Sequence, residues 1–330
     1  MHNISKIISV ILTMVIFSTC LSSCANIGSS KSKPVIVATI YPIYDWIRTI
    51  LGNSIKDVDL ILLESGSADL HNYKPSAEDI ITLGKADIFF YIGGESDEWV
   101  DSAITSAQLP ENKAINLLQS LGTLAKEEKP IEGATESEAE EEEEEEGAAD
   151  EHIWLSLNNA IHLIPIMAEK IKTAIPGISK SIEDNTDKFV NELSSLHQQY
   201  TESLSAKKRD TVIFASRFPF RYLMDDYDIK YYAAFSGCSA ETEASFETVA
   251  FLANKIKETT AQYIIILEES DTKLAETIIN ESGNEKVKIL TLNSMQSVDA
   301  NTTNNTYYNH MKNNLMTLAI ILGGETINVN

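Results

Sequence analysis

Residues 35–63, VIVATIYPIYDWIRTILGNSIKDVDLILL, decide the architecture. Val35 to Ile40 is β-branched and strand-like, Tyr44 to Leu51 follows as a helix, and Val58 to Leu63 returns to a strand. The rhythm continues outward. After a polar connection, Glu64 to Pro75, come a short helix at Ala77 to Leu83 and a strand at Ile88 to Ile92 closed by Gly93-Gly94. A helix near Glu98 to Ser106 and a short strand near Ala114 to Leu118 complete the set. Strand and helix alternating at this interval indicate βαβ units around a mainly parallel sheet.

Past residue 157 the texture changes. Asn158 to Ala174 is helical in period, Pro176-Gly177 interrupts it, and Ile178 to about Ser205 continues it with Ile182, Phe189, Val190, Leu193, Leu196 and Tyr200. At 1.5 Å per residue the second piece is roughly 40 Å long, which reads as a strut rather than a packing helix. The first texture then returns. Thr211 to Ala215, Ile229 to Ala234, Tyr263 to Leu267 and Val287 to Leu292 read as strands, and Arg217 to Met224, Phe246 to Thr259, Lys273 to Glu281 and Tyr307 to Leu322 as helices. The fold class is therefore α/β, with two lobes on mainly parallel sheets joined by a long rigid backbone helix. The expected division is a signal segment at 1–24, a tether at 25–32, a first lobe at 33–157 with an acidic loop at 126–151, a linking helical region at 158–206 and a second lobe at 207–330.

A chain of 330 residues with a hydrophobic share of 43% has material for two cores. The net charge is −23, and residues 132–151 hold twelve acidic residues and no basic one. Seven of them, Glu140 to Glu146, are consecutive, bury nothing and repel one another, so this run should be solvated. Such a balance argues against nucleic acid as partner. At the other end, Lys6 precedes an apolar run from Ile7 to Cys20, too short to span a bilayer and suited to a signal-peptide core. It ends in Leu21-Ser22-Ser23-Cys24, which resembles a bacterial lipobox. If so, the mature chain begins at a lipid-carrying (palmitoylated) Cys24 and is anchored on the outer face of the cell membrane. Cys238 is then the one thiol left in the folded part, and no intramolecular disulfide forms.

In open parallel sheets, ligands bind where loops leave the C-terminal strand edges. His71 sits in such a loop, after the strand ending at Leu63, and His152 stands between carboxylates and a Trp-Leu pair at the end of the same lobe. Neutral imidazole is a common zinc ligand, and a flanking carboxylate or carbonyl fixes its tautomer. Two such histidines in one lobe suggest a metal site.

The segment Asp69-Leu70-His71-Asn72-Tyr73-Lys74-Pro75-Ser76 resembles the D-x-H-x-Y-x-P-S motif of the zinc and manganese substrate-binding lipoproteins of ABC importers. Asp150-Glu151-His152-Ile153-Trp154-Leu155 is similar to their D-x-H-x-W-L motif. The resemblance covers essentially the whole mature chain. It implies one divalent metal in a cleft between the lobes, and an ABC permease with its cytoplasmic ATPase as partner. His71 and His152 carry over as ligands. The family's third ligand falls at Arg217, whose guanidinium has no lone pair to give. Its fourth falls at Asn293, a weaker donor than a carboxylate. Gly237-Cys238-Ser239-Ala240-Glu241-Thr242-Glu243 resembles the family's second-lobe E-x-E segment, so Glu241 or Glu243 is the candidate to complete the site. Arg217, Asp69 and Glu151 are expected to support the ligands from behind.

Two imidazoles suit zinc, Zn2+, better than magnesium or calcium, while manganese, Mn2+, stays open if carboxylates complete the shell. The function implied is extracytoplasmic capture of a divalent metal, zinc first, and its delivery to an importer; no enzyme activity is expected. Two other readings stand beside it. One is a zinc hydrolase using the same histidines, against which there is no H-E-x-x-H helix and no G-x-S-x-G elbow. The other is a cell-adhesion or interaction lipoprotein whose metal site has decayed, motivated by Arg217 and Asn293.

Overall fold

The computed structural model describes residues 33–64, 73–135, 149–237, 243–300 and 305–324, and residues 34–330 form one compact unit. Asp69, His71, Cys238 and Glu241, the glutamate run and the expected signal and tether segments lie outside the described residues.

The first lobe is built on β1 (Val35–Ala38), β2 (Asp59–Leu62), β3 (Ile88–Tyr91) and β4 (Ala114–Asn116), all parallel in the order β2-β1-β3-β4. Helix α1 (Tyr41–Leu51) joins the first two strands and begins three residues before the expected start, because Pro42 at its N-terminus needs no donor there. Helices α2 (Ala77–Leu83) and α3 (Trp99–Ala107) flank β3. The last expected strand shortens to three residues, since Asn116 caps a short helix, α4 (Leu117–Leu121), by accepting from Gln119 N at 2.7 Å.

The second lobe repeats the topology. Strands β5 (Thr211–Phe214), β6 (Lys230–Ala233), β7 (Tyr263–Leu267) and β8 (Lys288–Leu292) are parallel in the order β6-β5-β7-β8. Around them lie α7 (Arg221–Asp226), α8 (Phe246–Thr259), α9 (Lys273–Ser282) and α10 (Tyr307–Leu322), numbered after the two connecting helices α5 (Leu157–Ala174) and α6 (Ser179–Ser205). Helix α7 starts four residues later than expected. Phe218 precedes Pro219, which disfavours helical geometry there and leaves Arg217 to Phe220 as a loop off the end of β5.

The connection differs from the expected strut in one respect. A turn at Pro176–Ile178 folds α6 back along α5, and Lys172 bridges to Glu183 at 2.7 Å across it. Helix α6 also packs on α1 of the first lobe and α10 of the second. It buries Ile182, Phe189, Leu193, Leu196, Tyr200 and Leu204. At about 2 kcal/mol per buried large side chain this is on the order of 10 kcal/mol as an upper bound, so the helix is held by packing and not by propensity.

Period-two alternation in the strands separates the cores. Ile36, Ala38 and Phe90 join Val212, Phe214 and Leu267 with the connecting helices in a central core that runs through both lobes. Val37 and Phe89 face Leu83, Val100 and Ala103 in one outer core, and Ile213, Ile264 and Ile266 face Leu252, Ile256 and Ile278 in the other. The buried Asp45 of α1 adds a clasp, accepting from Tyr307 N of α10 at 2.6 Å while paired with Arg48. Among the described residues no helix is long and apolar enough to cross a membrane.

Candidate metal site

In both sheets the strand order reverses between the first and third strands of the lobe, and the loops around His152 follow the C-terminal ends of strands on either side of that reversal. The path to His71 leaves β2 at Glu64, whose N–H still donates to Thr39 O at 3.0 Å. It resumes at Tyr73, whose ring packs on Trp99 with centroids 5.3 Å apart. Ser76, at the end of the first motif, is a helix cap. Its hydroxyl accepts from Asp79 N at 3.3 Å and its own N–H donates to Asp79 Oδ2 at 2.7 Å, a reciprocal capping box for α2.

His152 is wholly buried. Asp150 Oδ1 accepts from His152 N at 2.9 Å and lies 3.0 Å from Nδ1, so the carboxylate holds the ring with Nδ1 as donor and leaves Nε2 as the lone-pair nitrogen. Burial opposes protonation of this ring, yet the carboxylates of Asp150, Glu151 and Glu128 outweigh it and raise its proton affinity above the ordinary imidazole value. The negative field that attracts a proton also attracts a divalent cation.

Glu151 is tied down by Ser96. Ser96 N donates to its Oε2 at 2.9 Å and Ser96 Oγ donates to Oε1. Gly94, at φ +105°, makes room, since a Cβ there would stand 2.8 Å from Glu151 Oε2. Burial pushes the Glu151 carboxyl up to about 7, with His152 and Ser96 acting the other way. Neighbouring Asp97, which accepts from Gly93 N at 2.9 Å, is pushed up to about 6 by burial.

Asp97 has a consequence for stability. Its carboxyl ionises near 3.8 when unburied and near 6 in the fold, so across that window the folded protein keeps a proton the unfolded chain has lost. Stability therefore falls as pH rises through the window. Asp97→Asn is expected to remove about 2–3 kcal/mol of that fall, at about 1.4 kcal/mol per pKa unit. Urea denaturation of both proteins at acid and neutral pH measures it, and an unchanged pH slope in the variant would contradict it.

The second lobe closes over His152 through backbone and loops. Gly237 lies against the ring, where an added Cβ would be 3.0 Å from His152 Cε1 and 3.1 Å from Phe218 O. Trp154, tilted over the imidazole at 5.3 Å, donates from Nε1 to Ser294 O at 2.8 Å. Ser294 in turn donates from N and Oγ to Glu268, each at 2.7 Å, and burial raises that carboxyl. Tyr222 OH donates to Asp150 O and accepts from Lys126 N, both at 2.9 Å, and burial pushes its phenol up to about 12.

The remaining candidates divide. Arg217 is buried on the loop after β5. Asn293 uses its Oδ1 to accept from Met295 N at 2.9 Å, an Asx turn that engages one of that oxygen's two lone pairs. Glu243 is exposed two residues before Ser245, which caps α8. Among the described residues no three His, Cys, Asp or Glu side chains gather as a metal cage. The supporting residues that sequence reasoning missed are Asp150, Ser96, Gly237, Tyr222 and Ser294. Asp150 had a signal in the motif's own aspartate; the others act through contacts between distant segments.

The family described as "Zinc-uptake complex component A periplasmic" matches residues 36–320. The zinc-binding lipoprotein AdcA of Streptococcus pneumoniae is 28% identical over 315 residues, covering 93% of this chain and 60% of that protein, so the chain spans less than two thirds of this relative's length. The high-affinity zinc uptake system protein ZnuA of Bacillus subtilis is 27% identical over 278 residues, covering 84% of this chain and 83% of its own. The crystal structure of the Zn(II)-bound ZnuA-like domain of S. pneumoniae AdcA superimposes with a TM-score of 0.68 at 27% identity, covering 88% of this chain and 99% of that one. With a match over residues 36–320 on two repeated parallel-sheet lobes, this chain belongs to the zinc-uptake component A family.

Proposed function

We propose that this chain is an extracytoplasmic receptor, not an enzyme, that captures zinc between its lobes and delivers it to the permease of an ABC importer driven by a cytoplasmic ATPase. One observation carries the reading: a fully buried His152 whose Nδ1 is held by Asp150 at 3.0 Å, at the C-terminal edges of two parallel sheets. That arrangement aims an imidazole nitrogen, once the incoming metal displaces its proton, at a cation, and zinc prefers such a donor where hard cations do not. The zinc-binding names of the relatives support the same metal. His71 is the second ligand in this reading, with Glu241 or Glu243 from the second lobe as oxygen donor. Arg217, Asp69 and Glu151 act as supports, and Asn293, whose amide oxygen already accepts one backbone bond, is the weaker oxygen donor. The glutamates of residues 140–146 collect cations by charge without selecting among them. A lipid on Cys24 holds the receptor at the membrane surface where the permease lies.

Protein purified without added metal is expected to carry zinc. In competition with equimolar manganese it is expected to retain zinc by a factor on the order of a hundred or more, in line with the Irving–Williams order for a site with two imidazoles. Elemental analysis after dialysis reads the ratio. Equal occupancy by the two metals would refute zinc as the cargo.

A further inference from the structure

We propose that Tyr222 is a positioning residue for the zinc site, reaching from the second lobe to fix Asp150 and through it the imidazole of His152. The inference rests on His152 being a zinc ligand, and goes beyond it by assigning a role to a residue outside both histidine motifs.

The geometry is a closed ring of hydrogen bonds at the neck of the acidic loop. Asp150 N donates to Lys126 O at 2.8 Å, which pairs the two chain ends of the loop. The Tyr222 hydroxyl then takes a bond from Lys126 N and gives one to Asp150 O, so one oxygen of the second lobe joins both ends. The peptide groups on both sides of the Asp150 Cα are thereby held, and its side chain spends Oδ1 on His152 N and Nδ1. Without the phenol, the Asp150 carbonyl loses its donor and the segment from Asp150 to His152 gains freedom to tilt. The ring nitrogen facing the metal tilts with it. Outer partners of metal ligands act in this way, by orienting rather than touching the metal.

Tyr222 is 1% exposed, and its ring also lies 5.5 Å from Lys126 Nζ, which pairs with Asp225 at 2.7 Å. Phenylalanine keeps the ring and these contacts and removes the hydroxyl alone. Tyr200 supplies the control. It too is buried and its hydroxyl donates to a carbonyl, that of Met311 at 2.6 Å, on the connecting helix α6.

The test compares full-length wild type, Tyr222→Phe, Tyr200→Phe and His152→Ala by zinc titration against a competing chelator, with thermal unfolding of the metal-free proteins. Tyr222→Phe is expected to weaken zinc binding about fivefold, the worth of one neutral hydrogen bond. Its metal-free unfolding should shift no more than that of Tyr200→Phe, which should keep wild-type affinity. By nuclear magnetic resonance the slowly exchanging Nδ1 proton of His152 should be visible in the wild type and broadened in Tyr222→Phe. Wild-type affinity in Tyr222→Phe beside a loss in His152→Ala would overturn this inference and leave the zinc site standing. An equal loss in Tyr200→Phe would mark general loosening and also overturn it. Undiminished binding by His152→Ala would overturn both.

Discussion

Replacing His71 and His152 together with alanine is expected to abolish tight zinc binding, lowering affinity on the order of ten thousandfold. In structural sites with four protein donors zinc is worth roughly 10–16 kcal/mol, so a donor of this kind accounts for about 3 kcal/mol, or about a hundredfold. His152→Ala alone should therefore cost about a hundredfold. Its effect on the fold should be small for a buried residue, because Asp150 keeps the backbone bond to residue 152 and Glu151 keeps both bonds to Ser96. Calorimetric titration of the double variant is the direct measurement. A surviving wild-type event would mean that the metal is held elsewhere, and the acidic segment at residues 136–148 would be the first place to look.

The parts of this molecule readable from its sequence are those governed by local rules. Alternating apolar and amphipathic runs gave both sheets, because a parallel sheet needs one strand and one helix per unit and each has its own period. Pro42, Asn116 and Pro219 shifted element ends by a few residues, since caps and proline sterics are settled locally but compete with the apolar pattern. The identical order of the two sheets was visible as rhythm, though not as repeated residues. The packing of α6 on three helices was not visible, because an apolar stripe on a long helix does not say which neighbours fill it.

The site divides on the same line. His152 was readable from its motif, and so was the expectation that a carboxylate holds it, although the sequence pointed to Glu151 and the bond is made by Asp150. Glu151 instead serves Ser96, which brings the β3 loop under the motif. Asn293 was named from its place in the chain, whereas the backbone bond its side chain accepts from Met295 was not legible, because an Asx turn depends on local conformation. Gly237 and Tyr222 matter through contacts made across some seventy residues of chain or more, and neither has a composition that marks it.

The largest effect on stability is expected at Trp154. Its ring is wholly buried in the core shared by both lobes, and two of its polar groups reach the second lobe, Nε1 donating to Ser294 O at 2.8 Å and the carbonyl accepting from Tyr307 OH at 2.7 Å. Trp154→Ala is expected to destabilise the metal-free protein by about 3–5 kcal/mol, the usual cost of emptying an aromatic from a core. Trp154→Phe keeps most of the volume and loses the Nε1–H, so about 1–3 kcal/mol should follow from the unpaired Ser294 carbonyl. Zinc separates the packing role from the site role. Saturating metal adds about 4 kcal/mol at a thousandfold excess over Kd, provided the ligands keep their places. Trp154→Phe should recover that full increment, because an aromatic ring still backs His152. Trp154→Ala should recover less, since the imidazole loses the ring it leans on at 5.3 Å. Urea denaturation of both variants with and without zinc reads all four quantities. Equal zinc increments would confine Trp154 to packing, and a cost under about 1 kcal/mol for alanine would be too small for an aromatic emptied from a shared core.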